Sequence, residues 1–197
     1  GELESADISW LANVEAAFGK APMPGRTSGV VPPTLYRGVP RLNGGGAFVD
    51  GGVHMVCELL WATGLRARSV VGVMDDPLLD MRATVTVTLE NGALATISFV
   101  GDSKYPARRV HNLYFGSRGT VLVEGLPFTL TTLPPGEPAT TVLEKDMPAV
   151  PSPVGNFIDA IRGRAELLSG PLDGLRCVEV VEAAYRSARS GQRVVIP

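Results

Sequence analysis

Charge is scarce in this 197-residue chain: 19% of its residues are Asp, Glu, Lys or Arg, with 18 Lys+Arg against 20 Asp+Glu and a formal net charge of −2. Nothing supplies the basic footprint that nucleic-acid binding needs. No apolar run reaches the ~18–20 residues that span a bilayer, and the polar start Gly1-Glu2-Leu3-Glu4-Ser5 lacks signal-peptide order. Neither nucleic acid nor membrane is therefore an expected partner. The two cysteines, Cys57 and Cys177, lie far apart inside apolar segments. That excludes a disulfide framework and reads as free buried thiols in a reducing cytoplasm. The G-x-x-x-x-G-K-[ST] loop, the G-x-S-x-G elbow and the C-x-x-C pair are all missing.

What is present suits one soluble, intracellular domain with a real core, since 45% of the residues are apolar. The 23 glycines and 16 prolines make about a fifth of the chain, turn-rich but below the ~25–30% that signals disorder. Ile8, Leu11, Val14 and Phe18 suggest a first helix stopped at Gly19, and Lys20–Pro40 reads as an extended arm or loop. Residues 1–43 are thus expected as an N-terminal arm, and 44–197 as the functional domain.

Val49, Val53, Val56 and Leu60 form one helical stripe that ends at Gly64. The period then switches to two. Ala83, Val85, Val87 and Leu89 alternate with Thr84, Thr86 and Thr88, Asn91-Gly92 is a hairpin turn, and Ala93–Val100 is the partner strand. Further strands are expected at 69–74, 109–115, 120–124, 128–133 and 140–144. Their short links predict an antiparallel meander. Ser152-Pro153 opens a helix with Val154, Phe157, Ile158 and Ile161 on one face, and Asp173 is a candidate cap for a longer one ended by Gly191. Arg193–Ile196 reads as a closing strand. The order predicts an α+β fold: a large, mostly antiparallel, open-faced sheet with helices on one face. Thr84, Thr86, Thr88, Thr96 and Ser98 leave the other face uncharged, so a second subunit is expected to cover it.

Chemistry concentrates in residues 44–64. Asp50 and His54 are i and i+4, which on a helix sets a carboxylate beside an imidazole and makes a competent general base or acid near neutral pH. An ordinary Asp–His pair at a helix start, with Asp50 serving the dipole, accounts for the same residues. Gly51 and Gly52 are poor helix formers, costing about 1 kcal/mol each against Ala. They imply that something, such as a ligand, approaches the backbone closely. Asp50, His54 and Glu58 also invite a metal reading, but the only other histidine, His111, sits in a strand with no matching spacing. No metal is expected. A dinucleotide fingerprint fails because Val49 stands where its last glycine belongs and no strand precedes it.

At these residues the chain resembles the Gfo/Idh/MocA oxidoreductases, the glucose–fructose oxidoreductase and inositol dehydrogenase group. Gly44-Gly45-Gly46, Asp50, Gly52, His54, Trp61 and Gly64 look like that family's G-G-G-x(3)-D-x-G-x-H segment. Leu89-Glu90-Asn91-Gly92-Ala93 is similar to its F-x-N-G-A hairpin, and Gly116-Ser117-Arg118-Gly119-Thr120 to its G-x-x-G-T turn. Residues 156–163, and 183–188 with Gly191, look like its two closing helices. The resemblance runs from about residue 43 to 197 and implies the family's C-terminal substrate and oligomerisation domain, without its N-terminal Rossmann half. The family's E-K-P motif is missing: Lys20, Lys104 and Lys145 all lie outside such a context. Cys57 stands where the family often has Asp.

By resemblance, His54 exchanges the proton of a substrate hydroxyl while hydride passes to NAD or NADP, and Asp50 holds His54 and the hydroxyl in place. Gly45, Gly46 and Gly51 are candidate substrate contacts. The resemblance implies a substrate that is a sugar, an inositol or a related polyol. The cofactor belongs to a full-length parent; this chain alone is expected to bind none and to be inactive. It is expected to form a dimer or tetramer through its sheet. A non-enzymatic binding or dimerisation module that kept the fold without redox activity is the competing reading.

Overall fold

The computed structural model describes residues 1–22, 36–76, 78–105 and 107–197. Its central strand is the first one. In β1 (Leu3–Leu11), Ala6, Ile8 and Trp10 are buried and alternate with the more exposed Ser5, Asp7 and Ser9. The helix expected through Ile8, Leu11, Val14 and Phe18 does not form here. Trp10 lies off that stripe, and the two-residue period that buries it with Ala6 and Ile8 prevails. The arm expected for residues 1–43 is corrected at the same point, because β1 lies inside the sheet. Residues 23–35 of the expected loop lie outside the described residues.

The other strands are β2 (Ala67–Met74), β3 (Arg82–Leu89), β4 (Leu94–Val100), β5 (Arg109–Gly116), β6 (Gly119–Gly125), β7 (Thr129–Leu133), β8 (Thr140–Leu143) and β9 (Val194–Val195). They form one sheet in the order β8-β7-β6-β5-β1-β4-β3-β2-β9. Two antiparallel meanders, β2–β4 and β5–β8, flank β1, which pairs parallel with β4 and antiparallel with β5. The single continuous meander expected from the short links is thus split by a strand from the start of the chain.

Register sorts the residues by face. Ala6, Ile8 and Trp10 share a face with Ala95, Ile97 and Phe99 of β4 and, through β3, with Val85 and Val87. This is the core face, covered by α2 (Val53–Thr63) and α4 (Pro171–Ser190). Trp10 and Phe99 stack with centroids 5.0 Å apart, and Phe48 meets Phe99 edge-on at 6.1 Å. Helix α4 lies so close to β2 that a Cβ on Gly72 would come within 2.6 Å of the Ala184 carbonyl oxygen. Ser187 Oγ accepts the Gly72 N–H there and donates to the Gln192 carbonyl. The opposite face carries Thr84, Thr86, Thr88, Thr96 and Ser98, all at least partly exposed among the described residues. Asp7 sits among them between Thr96 and Leu113, so the face is not wholly uncharged.

Ser152 caps α3 (Pro153–Ile161) by accepting the Gly155 N–H. Its apolar residues Val154, Phe157, Ile158 and Ile161 are all exposed. Asp173 is the third residue of α4 rather than its cap, and its carboxylate accepts the Gly170 N–H over 2.7 Å. Among the described residues no helix is long and apolar enough to cross a membrane.

Candidate functional site

The triple glycine follows the short helix α1 (Pro40–Asn43), which closes at Gly44 with φ 83°. Only a residue without Cβ takes that left-handed turn at no cost. Two side chains from distant elements then grip the backbone. Asp80, wholly buried before β3, accepts the N–H groups of Gly46 at 3.2 Å and Phe48 at 2.6 Å. The Tyr185 hydroxyl of α4 accepts the N–H groups of Gly46 and Val49, each at 3.1 Å, and lies beside Asp80. Burial pushes the Asp80 carboxyl above its ordinary pKa, against the opposing pull of the Phe48 N–H. Burial, then the adjoining Asp80 charge, pushes the Tyr185 phenol up.

This clamp sets the entry to a π-helical turn, Phe48–Gly52, that runs directly into α2. The close approaches that demand glycine come from the protein itself. A Cβ on Gly45 would lie 2.7 Å from the Tyr185 hydroxyl, one on Gly51 2.8 Å from the Phe99 ring, and one on Gly52 would enter the Phe48 ring. The ligand expected to press on Gly51 and Gly52 is here the aromatic core. Gly46 is likewise shut in by Leu79 and Asp80.

The structure does not bring the Asp50 carboxylate to His54. Arg37 Nε donates to Asp50 Oδ1 at 2.8 Å, and both side chains are about a third exposed. That ion pair, hydrogen-bonded and close, holds the Arg37 guanidinium charged. His54 is exposed on the first turn of α2. It opens onto a cleft of about 450 Å³ shared with Cys57, Glu58, Trp61, Asp173, Arg176 and Cys177. Leu168 closes one side, its carbonyl accepting the Trp61 Nε1–H at 2.7 Å.

Glu58 turns away from His54 toward the sheet. Its Oε1 accepts Asn112 Nδ2–H and the Tyr114 hydroxyl, both at 2.7 Å. Asn112 is fully buried and also accepts the Ser9 N–H through Oδ1. Burial, reinforced by the Glu58 charge, pushes the Tyr114 phenol up. Glu58 and Tyr114 line a second, wider cleft of about 1200 Å³ between α2 and β5–β7. Asp50, His54 and Glu58 therefore diverge, and no three His, Cys, Asp or Glu side chains converge as a metal site among the described residues. His111 is an exposed β5 residue whose Nδ1 lies 3.3 Å from Glu124 Oε1.

A dinucleotide pyrophosphate does not fit at the triple glycine. The N–H groups of Gly46 and Phe48, which would have to meet a phosphate, already meet the buried Asp80 carboxylate, and two anions cannot share them. Arg37, Asp80, Asn112 and Tyr114 are the members of the site that sequence reasoning missed. Only Asp80 left a trace, as a carboxylate set in the apolar run Leu78-Leu79-Asp80-Met81. Arg37, Asn112 and Tyr114 show no spacing to the segment they serve.

A family model described as the GFO/IDH/MocA C-terminal domain matches residues 3–122. No curated protein matches the chain. Solved structures do. An oxidoreductase domain protein from Kribbella flavida superposes with TM-score 0.79 at 17% identity, over 100% of this chain and 60% of that one. The WlbA dehydrogenase from Bordetella pertussis, in complex with NADH and UDP-GlcNAcA, gives 0.69 at 23% identity over 100% and 56%. A levoglucosan dehydrogenase in complex with NADH and levoglucosan gives 0.79 at 15% identity over 100% and 59%. At these identities the likeness is one of fold, and the chain spans somewhat over half the length of each of these structures.

Proposed function

Since the chain belongs to the Gfo/Idh/MocA family through its C-terminal domain, we propose that it is the substrate-side half of an NAD(P)-dependent dehydrogenase. The substrate class is the CH–OH group of a sugar, an inositol or a related polyol. One observation carries the reading. The segment that matches the family motif is anchored by Asp80 and Tyr185 so that His54 stands exposed at the mouth of a cleft.

Taking hydride from an alcohol carbon leaves a carbonyl only if the O–H proton departs as well, so a base must reach that hydroxyl. His54 is that base, and the acid in the reverse direction. Asp50, held by Arg37 just before α2, orients the substrate hydroxyl rather than the imidazole ring. Gly45, Gly46 and Gly51 act by letting the backbone pack tightly behind the site. The nicotinamide supplies the hydride chemistry, held by residues outside these 197. The chain by itself is accordingly inactive. Its threonine-bearing sheet face joins a second copy, as a dimer or a tetramer built from dimers, and its free thiols suit a reducing cytoplasm.

The test is steady-state kinetics and thermal melting of the full-length parent. His54→Ala lowers kcat by about 10²–10⁴, with little change in melting temperature. Asp50→Asn costs less. Undiminished turnover in His54→Ala with a lowered melting temperature would end the catalytic assignment.

A further inference from the structure

Cys57 on α2 and Cys177 on α4 are 120 positions apart in sequence, yet their Sγ atoms lie 2.7 Å apart. Both are free thiols. A covalent S–S bond is about 2.05 Å long, so closing the gap takes a side-chain shift of less than about 1 Å. The two thiols are also unequal. Cys177 is buried, whereas Cys57 is half-buried and both line the cleft onto which His54 and Arg176 open. The Cys177 thiol, hydrogen-bonded to Cys57, lowers the Cys57 pKa to about 7 against the opposing effect of burial. The same contact, with burial, pushes Cys177 up. Near neutral pH one member is a reachable nucleophile and the other keeps its proton.

We propose that Cys57 and Cys177 are a peroxide-oxidisable dithiol, closing to a disulfide that ties α2 to α4 at the wall of the His54 cleft. In the first step the Cys57 thiolate attacks one oxygen of hydrogen peroxide. An S–O bond forms, the O–O bond breaks, and the departing hydroxide takes up a proton as water. In the second step the Cys177 sulfur attacks the Cys57 sulfur of the sulfenic acid. The S–S bond forms, the S–O bond breaks, and hydroxide leaves with the Cys177 proton as a second water. Two thiols lose two electrons, and one peroxide is reduced to two waters. The pair draws on the packing of α2 against α4 and stands independently of the dehydrogenase reading.

The experiment uses the full chain, reduced and then exposed to hydrogen peroxide. The monomer should lose two titratable thiols and about 2 Da, and peptide mapping should join Cys57 to Cys177, all reversed by dithiothreitol. Oxidation should raise the melting temperature by about 5–10 °C, because the cross-link closes a long loop. In Cys177→Ala, Cys57 should stop at the sulfenic acid, about 16 Da heavier and trapped by dimedone. If that variant does not fold, mass and peptide map of the wild type decide alone. Retention of both thiols, gains of oxygen without the loss of about 2 Da, or cross-links only between chains would each overturn the proposal.

Discussion

Asp80 Oδ1 accepts the backbone N–H of Phe48 over 2.6 Å, in a position closed to solvent. Its other oxygen takes Gly46, and Tyr185 reaches both Asp80 and the glycine. A carboxylate from one element and a phenol from another thus do for this helix entry what a cap does within a single segment.

Removing the carboxylate strands the buried Phe48 N–H, a loss of about 1–3 kcal/mol when left unpaired, and leaves the Gly46 N–H to Tyr185 alone. Asp80→Ala should therefore destabilise the fold by roughly 1–3 kcal/mol. Asp80→Asn should cost less, since the amide keeps one acceptor oxygen. Urea unfolding of both variants checks the order, and equal stability of Asp80→Ala and wild type would remove the clamp from the account.

The same group predicts a pH dependence. Burial raises the Asp80 pKa in the folded state above that of the unfolded chain. Its contribution is therefore whole below the ordinary carboxylate value and is lost as pH rises through the raised folded value. The wild-type advantage over Asp80→Asn should shrink as pH climbs past the ordinary carboxylate value of about 4. Glu15, Asp76 and Glu90, whose pKa values are lowered by hydrogen bonds, pull the opposite way but cancel in this difference. A difference that widens with pH would contradict a buried, raised carboxyl.

Glu58, Asn112 and Tyr114 form a polar bridge between α2 and β5. Hydrogen bonds to a charged acceptor contribute about 1.5–3 kcal/mol. Tyr114→Phe should lose about that much in denaturant unfolding, and Glu58→Gln less, because the amide oxygen still accepts from both donors.

Thr86 lies on the open face between Thr96 of β4 and Val71 of β2. If that face joins two copies, Thr86→Lys sets like charges near one another in a buried seam. Sedimentation should then show the variant dissociated at tens of micromolar, with its circular dichroism spectrum unchanged. A wild type already monomeric at that concentration would remove the sheet from the assembly, because a standard-size interface should be populated there.

Calorimetry of the chain with NAD(H) or NADP(H) should register no micromolar binding. The two N–H groups best placed for a phosphate are already held by Asp80.

Most of the local structure was written in the sequence. The threonine alternation with Asn91-Gly92 became the β3–β4 hairpin, where Asn91 Oδ1 accepts the Ala93 N–H, and Gly64 and Gly191 end their helices in the left-handed conformation. Such features are legible because backbone geometry and a one-sided core impose a short period on adjacent residues. The motif around Gly44 to His54 was legible through its resemblance to a family rather than through any period. Tertiary structure alone decided the rest. It drew β1 between β4 and β5, gave Asp50 to Arg37 instead of His54, brought Asp80 across 32 residues to Phe48, and set Cys57 against Cys177. Each of these depends on which surfaces meet when the sheet closes over α2 and α4. A pairing chosen by three-dimensional packing has no characteristic spacing along the chain, so no period in the sequence announces it.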